Sequence, residues 1–231
     1  GRATYIDLFC GSGMAKVRNQ EEIVDGSAIV AWKCSLASGT PFSKLFVVDI
    51  DQQLVDACVT RLQALGAPVT GYCLSASLAA SNISNRIRAE FPHGLHFAFV
   101  DPFNLAELDF QILKALGLLK RIDMLIHLSA MHLQRNLKQN ITYELDEFER
   151  FAPKWRQHVD MNTNQAEQRR RLVDYWISLV KNLQLETPIE HKLLTGSTNQ
   201  PLYWLLLASK HDLAQKFWKT ASNPEQQGDL F

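Results

Sequence analysis

The residues best suited to chemistry are two glycines and three carboxylates at the ends of apolar runs. The segment Tyr5-Ile6-Asp7-Leu8-Phe9-Cys10-Gly11-Ser12-Gly13 joins such a run to glycines two residues apart. That turn lets backbone N–H groups approach a ligand without side-chain interference. Asp7, inside the end of the run, either pins the loop by hydrogen bonds or reaches the ammonium of a cofactor through water. A second run ends Val48-Asp49-Ile50-Asp51, and an acid at that strand end accepts both hydroxyls of a ribose. Asp49 is assigned the ribose, because Asp51 precedes a helical pattern and reads as its N-cap. Position 16 is lysine, so the third glycine of the dinucleotide fingerprint is missing. The expected ligand is therefore S-adenosylmethionine, held by Asp7, Phe9, Gly11, Ser12, Gly13, Asp49 and Ser75, with Ser75 beside the adenine.

A third strand end, Phe99-Val100-Asp101-Pro102-Phe103-Asn104, supplies the catalytic candidates. Methyl transfer to an exocyclic amine needs acceptors that grip the amino hydrogens and a ring that stacks on the base. Asp101 with the Pro102 carbonyl fits the first task and Phe103 the second. The structural alternative is that Asp101 caps the next loop, since Asp-Pro is a common turn starter. His127 and His132 are weaker acid–base candidates, His191 and His211 have no evident ligand partner, and no metal site is expected.

These residues must be positioned by alternating strands and helices. Strands are expected at Tyr5 to Phe9, Lys44 to Asp49, Val69 to Cys73, His96 to Val100 and Met124 to Leu128. Helices are expected at Gly26 to Leu36, Gln52 to Leu65, Ala80 to Glu90 and Asp109 to Leu119, with Asp25 and Asp51 as N-caps and Gly39 and Gly66 as stops. Residues 131–185 read as a helical insertion, clearest from Gln165 to Leu183. Ile189 to Leu194 and Leu202 to Ser209 then form an antiparallel pair. The expected fold is α/β: a Rossmann-like class I S-adenosylmethionine-dependent methyltransferase fold, with a mostly parallel seven-stranded sheet and a C-terminal hairpin. Residues 1–220 are expected to form one domain and 221–231 a flexible tail.

Composition sets broad limits. The chain has 231 residues, 46% of them hydrophobic, with Lys plus Arg and Asp plus Glu both at 24. Bulk charge therefore announces neither a nucleic-acid nor a membrane surface. Cys10, Cys34, Cys58 and Cys73 form no C-x-x-C pair and are expected to be reduced core thiols in a cytoplasmic protein. The first strand starts so near Gly1 that an upstream helix is expected to lie outside this sequence. In the insertion, Arg135, Lys138, Lys154, Arg156 and Arg169-Arg170-Arg171 interleave with Trp155, Tyr175 and Trp176. That mixture suits phosphate contact and base stacking. Glu144, Asp146, Glu147 and Glu149 in the same segment favour a solvated face with local ion pairs instead.

The opening segment, Asp25-Gly26-Ser27, Asp101-Pro102-Phe103 and the closing run Pro201-Leu202-Tyr203-Trp204-Leu205-Leu206-Leu207-Ala208-Ser209-Lys210-His211 together resemble the three-Cys-motif partner family of bacterial methyltransferase-like proteins. The resemblance implies a partner carrying a three-cysteine motif that looks like a radical-S-adenosylmethionine enzyme. Two departures stand out. Cys10 occupies a loop position where a small residue is usual, and Asp-Pro-Phe-Asn replaces the fuller Asp-Pro-Pro-aromatic motif of nucleic-acid amino-methyltransferases. The tail Gln227-Gly228-Asp229-Leu230-Phe231 resembles the short peptides that dock bacterial repair proteins on the sliding clamp, with Gln227, Leu230 and Phe231 as anchors. Three functions stay open: a nucleic-acid methyltransferase, a non-catalytic subunit of a repair-like complex, and a nuclease in which Asp7, Asp49 and Asp101 bind metal.

Overall fold

Short runs of β-branched and aromatic residues, apolar on both faces, form parallel strands that helices must cover. Leu45, Phe46, Val47 and Val48 are such a run, and all four are fully buried. The computed structural model describes residues 2–17, 21–143, 145–160, 162–187, 192–195 and 201–221. They fall into two compact units, Gly1–Asp101 with Leu118–Ile122, and Pro102–Gly117 with Asp123–Phe231.

The first unit contains, in chain order, β1 (Ala3–Asp7), β2 (Met14–Lys16), β3 (Ile23–Asp25), α1 (Ser27–Ala37), β4 (Lys44–Asp49), α2 (Gln52–Ala64), β5 (Val69–Cys73), α3 (Ala76–Glu90) and β6 (Leu95–Val100). Its sheet runs β5-β4-β1-β6, every neighbour parallel. Register fixes the functional edge: Asp7 lies opposite Val47 on β4 and Phe99 on β6, and Asp49 lies opposite Cys73 on β5. Two residues further on, Asp49 and Asp101 therefore reach the sheet edge at the same level, while on β1 the chain has already turned at Leu8 and Phe9. One face packs Tyr5, Leu45 and Val47 against Ile29 and Trp32 of α1 and Cys58 and Leu62 of α2.

Asp51 caps α2 as expected, accepting from the Gln53 N–H at 2.8 Å, and Gly39 and Gly66 turn the chain with φ of 69° and 75°. Three expectations are corrected. Asp25 is not an N-cap: it pairs with Met14 in the small β2–β3 ribbon and bonds Lys33, while Gly26 holds the cap position without a side-chain bond. The third helix starts at Ala76, not Ala80, because Ser75 is already extended, with ψ of 146°. Only Cys10 and Cys58 are buried; Cys34 and Cys73 are exposed free thiols.

The second unit contains α4 (Phe110–Leu116), β7 (Ile122–Ser129) from Asp123 onward, α5 (Ala130–Thr142), α6 (Glu147–Phe151), α7 (Gln165–Lys181), β8 (Lys192–Thr195), β9 (Pro201–Ser209) and α8 (Asp212–Ala221). β9 runs antiparallel to both β7 and β8, which is the expected closing hairpin. The fold is thus α/β and Rossmann-like, with a parallel set followed by an antiparallel close. α8 was not foreseen. His211 starts it, its Nδ1 accepting from the Leu213 N–H at 3.1 Å.

The aromatic residues of the insertion do a different job from the stacking considered above. Trp155 and Trp176 are fully buried; Phe151 stacks on Trp176 at 5.3 Å and Phe148 meets Trp155 edge-on at 6.0 Å. They are the core of the insertion, where large rings contribute most to burial. Arg170 and Arg171 pair with Glu167, and Arg170 also with Asp174. Arg156 lies 4.6 Å over the Trp155 ring. This is the solvated face with local ion pairs. No helix among the described residues is long and apolar enough to cross a membrane.

Candidate cofactor site at the carboxyl edge of the parallel strands

The glycine loop is built by its backbone first. Gly11 and Gly13 have φ of 52° and 78°, a region that costs an L side chain energy and glycine almost nothing. A Cβ at Gly11 would meet nothing within 4 Å, so the loop is open on the side where a ligand would lie. At Gly26 the reverse holds: its N–H bonds the Gly13 carbonyl at 2.8 Å, and a Cβ there would lie 2.8 Å from the Gly13 carbonyl carbon. The chain leaving the loop and the chain entering α1 are thus in backbone contact.

Side chains then lock that backbone. Asp7 is fully buried and accepts from the Phe9 N–H at 3.2 Å, the Ser27 hydroxyl at 2.6 Å and the Tyr5 hydroxyl at 3.2 Å. Burial pushes its carboxyl up to about 6, against the pull of those three hydrogen bonds, and the charge of Asp101 adds to the rise. Asp7 has no exposed surface, and its contacts are those of a residue pinning the loop from beneath. Tyr5 is raised in turn, first by burial and then by the Asp7 charge.

Asp49 links two strand ends. Its Oδ2 accepts from the Gly11 N–H at 3.1 Å and its Oδ1 from the Asp51 N–H at 3.0 Å. Each carboxylate oxygen has a further lone pair, so acceptor capacity for a diol remains. Arg61 of α2 donates from Nη1 to the Ser12 carbonyl at 2.7 Å. Cys10 bonds the Val48 carbonyl through its N–H at 2.9 Å. Its thiol is raised well above the usual range, chiefly by a hydrogen bond with Cys58 and then by burial. Phe9 and Ser75 are half-buried, with Ser75 heading α3 two residues past Cys73.

Six of the seven expected cofactor residues lie along the ends of β1 and β4, and Ser75 follows the end of β5. Sequence reasoning missed Ser27, which carried a signal only as the residue after Asp25-Gly26. It also missed Arg61, a lone arginine in an amphipathic helix, which carries none.

The acceptor candidates are divided by the unit boundary. Asp101 is exposed and lies in the first unit, close enough to Asp7 to raise it. In the second unit Pro102 is buried and Phe103 is 91% exposed. Asn104 serves its own turn, Oδ1 accepting from the Glu107 N–H and Nδ2 donating to Glu107, both at 3.1 Å.

The His127 ring packs 4.3 Å from that of Tyr203. The His132 imidazole is held low by burial, against the opposing charges of Glu147 and Glu107. Among the described residues no three His, Cys, Asp or Glu side chains come together as metal ligands. His191, Gln227, Leu230 and Phe231 lie outside the described residues.

No protein-family model matches the chain, and no curated protein matches it. Among solved structures, an rRNA methylase from Streptococcus thermophilus shares 11% identity over 91% of this chain and 88% of its own, with a TM-score of 0.45. The methyltransferase domain of bacterial CtHen1 shares 11% over 89% of each chain, with a TM-score of 0.45. TrmK of M. capricolum, solved with S-adenosyl-homocysteine, shares 8% over 91% of this chain and 63% of its own, with a TM-score of 0.43. The fold assignment rests on strand order and register, not on these likenesses.

Proposed function

We propose that the chain binds S-adenosylmethionine over the glycine loop and transfers its methyl group to nucleic acid. The observation that carries the reading is the Asp49 carboxylate bonded to the Gly11 N–H, which joins a ribose-type acceptor to a loop open above Gly11. Bound there, the cofactor would supply an electrophilic sulfonium methyl. Asp49 would accept the ribose hydroxyls, Gly11, Ser12 and Gly13 would give close backbone approach, and Phe9 and Ser75 would flank the nucleoside. Asp101, at the level of Asp49 along the edge, would accept hydrogens from the acceptor amine and so aim its lone pair, with the Pro102 carbonyl as second acceptor and Phe103 stacking on the base.

Within this reading the chain works beside a three-Cys-motif, radical-S-adenosylmethionine-like protein and docks on a sliding clamp through Gln227, Leu230 and Phe231. A second reading, a subunit that holds cofactor or DNA without methylating it, is favoured by one observation. Asn104 is spent on its own turn, which leaves the Asp-Pro-Phe-Asn segment with fewer groups for an amine.

Transfer of labelled methyl to DNA and RNA, alone and with the partner, separates the two. The first reading expects transfer that Asp101→Ala lowers at least tenfold while cofactor affinity holds. Cofactor binding with no transfer to any nucleic acid establishes the second. Loss of clamp co-elution on deleting Leu230 and Phe231 tests the tail.

A further inference from the structure

At the opposite end of β6 from Asp101, a pocket of about 270 Å³ opens between the last turn of α3, the start of β6 and residues 118–120. Six residues of β6 separate the two ends, ~17 Å of extended chain, so this pocket is not part of the cofactor site. Its walls combine an apolar slot of Phe91, Pro92 and Leu118, backed by the buried Ile87 and Leu119, with the cations Arg88 and Lys120, and no carboxylate lines it.

The cations are unspent. Arg86, two residues before Arg88 on α3, is bonded to Glu90 and to the Tyr72 hydroxyl. Among the described residues, Arg88 and Lys120 have no ion pair. Nor does Arg88 close the helix: the Phe91 N–H bonds the Ile87 carbonyl at 2.7 Å and the Gly94 N–H bonds the Phe91 carbonyl at 3.0 Å.

His96 gives the pocket a buried polar wall. It is 5% exposed, and its Nδ1 is fixed at 2.9 Å from the Thr4 hydroxyl. With Nδ1 taken, Nε2 is the nitrogen left for a ligand. The ring is seated against Gly94, where any Cβ would come within 2.8 Å of the imidazole. A fixed imidazole, two unpaired cations and an apolar slot suit a small anion with a flat apolar body.

We propose that this pocket binds an aryl-type organic anion, its phosphate or carboxylate on Arg88 and Lys120, its ring against Phe91 and Leu118, and His96 completing the anion's hydrogen bonds. The site is independent of the methyltransferase reading. Calorimetric titration of the full chain with phenyl phosphate, benzoate and inorganic phosphate tests it. At least one aryl anion should bind saturably and at least tenfold tighter than inorganic phosphate. Arg88→Ala and Lys120→Ala, both at exposed positions, should each weaken it fivefold or more, and excess S-adenosylhomocysteine should not compete. The stronger of the two aryl probes identifies the head group. Absence of saturable binding by either aryl anion, equal binding of inorganic phosphate, or indifference to both substitutions would overturn the proposal.

Discussion

The glycine loop and the Asp-Pro-Phe-Asn segment sit at the ends of neighbouring parallel strands, yet they are built in opposite ways. Around the loop every turn is fixed before any ligand arrives: Asp7 takes three hydrogen bonds, and Asp49 and Arg61 hold Gly11 and Ser12. Past β6, Phe103 is 91% exposed and Asn104 is folded back on Glu107. The difference separates the two halves of the proposed reaction. In that proposal, cofactor binding would be preorganised, with its ordering cost met on folding, whereas positioning of an acceptor would wait for the acceptor or a partner.

The comparison breaks most directly at Gly26. A methyl there collides with the Gly13 carbonyl carbon at 2.8 Å, and backbone cannot rotate away as a side chain can. Gly26→Ala is expected to cost about 3 kcal/mol in denaturant unfolding, as overpacking a tight contact does, and to abolish S-adenosylmethionine binding. A stable variant with normal affinity would mean that the loop is not preorganised.

A pH scan sharpens the same point at Asp7. Its carboxyl is raised to about 6 by burial, above the value near ~4 that it has in the unfolded chain. Between those values the folded protein keeps a proton that the unfolded chain has shed, so stability falls as pH rises from ~4 to ~6 and stays down above it. The two-unit gap is worth roughly 3 kcal/mol. Asp7→Asn should remove that fall, so the stability difference between wild type and variant should change by that amount across the window. A constant difference would show that Asp7 is not the buried acid described.

Much of this was legible in the sequence, for physical reasons that also mark where it stopped. β4 and β5 match expectation to the residue, β4 because a buried parallel strand needs a continuous apolar run and β5, half-buried and carrying Thr70 and Gly71, because the strand–helix alternation left a place for it, and Asp51 was readable because a cap acts locally. Asp25 was misread because the same residue type serves equally in a ribbon end paired with Lys33. The Trp155 and Trp176 rings lie among the basic residues in sequence but turn inward on Phe148 and Phe151, a choice made by tertiary packing alone. Arg61 reaches a carbonyl 49 positions back, and nothing local in its helix announces such a contact. At the site, the strand-end acids were visible from sequence; the network that holds them was not.

Asp49 separates its two jobs by a pair of substitutions. Asp49→Asn keeps an oxygen for the Gly11 N–H but loses the charge and acceptor capacity that a ribose diol uses, so cofactor affinity should fall about tenfold with stability within ~1 kcal/mol of wild type. Asp49→Ala orphans the Gly11 N–H as well and should cost a further ~1 to 2 kcal/mol of stability. If the asparagine variant binds as wild type does, Asp49 serves only the loop and the ribose assignment fails.

The smallest structural effect is expected at Phe103, and it bears most directly on the acceptor side. A ring that is 91% exposed buries almost no area in the folded protein, so Phe103→Ala should change stability by less than ~0.5 kcal/mol. Cofactor affinity should not move. If the ring stacks on an acceptor base, the variant should still raise KM for nucleic acid or lower methyl transfer, because base–aromatic stacking is worth ~1 to 3 kcal/mol. A large loss of stability would show that the segment is packed in solution after all, and the contrast between a finished cofactor half and an unfinished acceptor half would fall. Unchanged stability with unchanged transfer would remove Phe103 from the reaction and leave Asp101 to act with groups supplied by a partner.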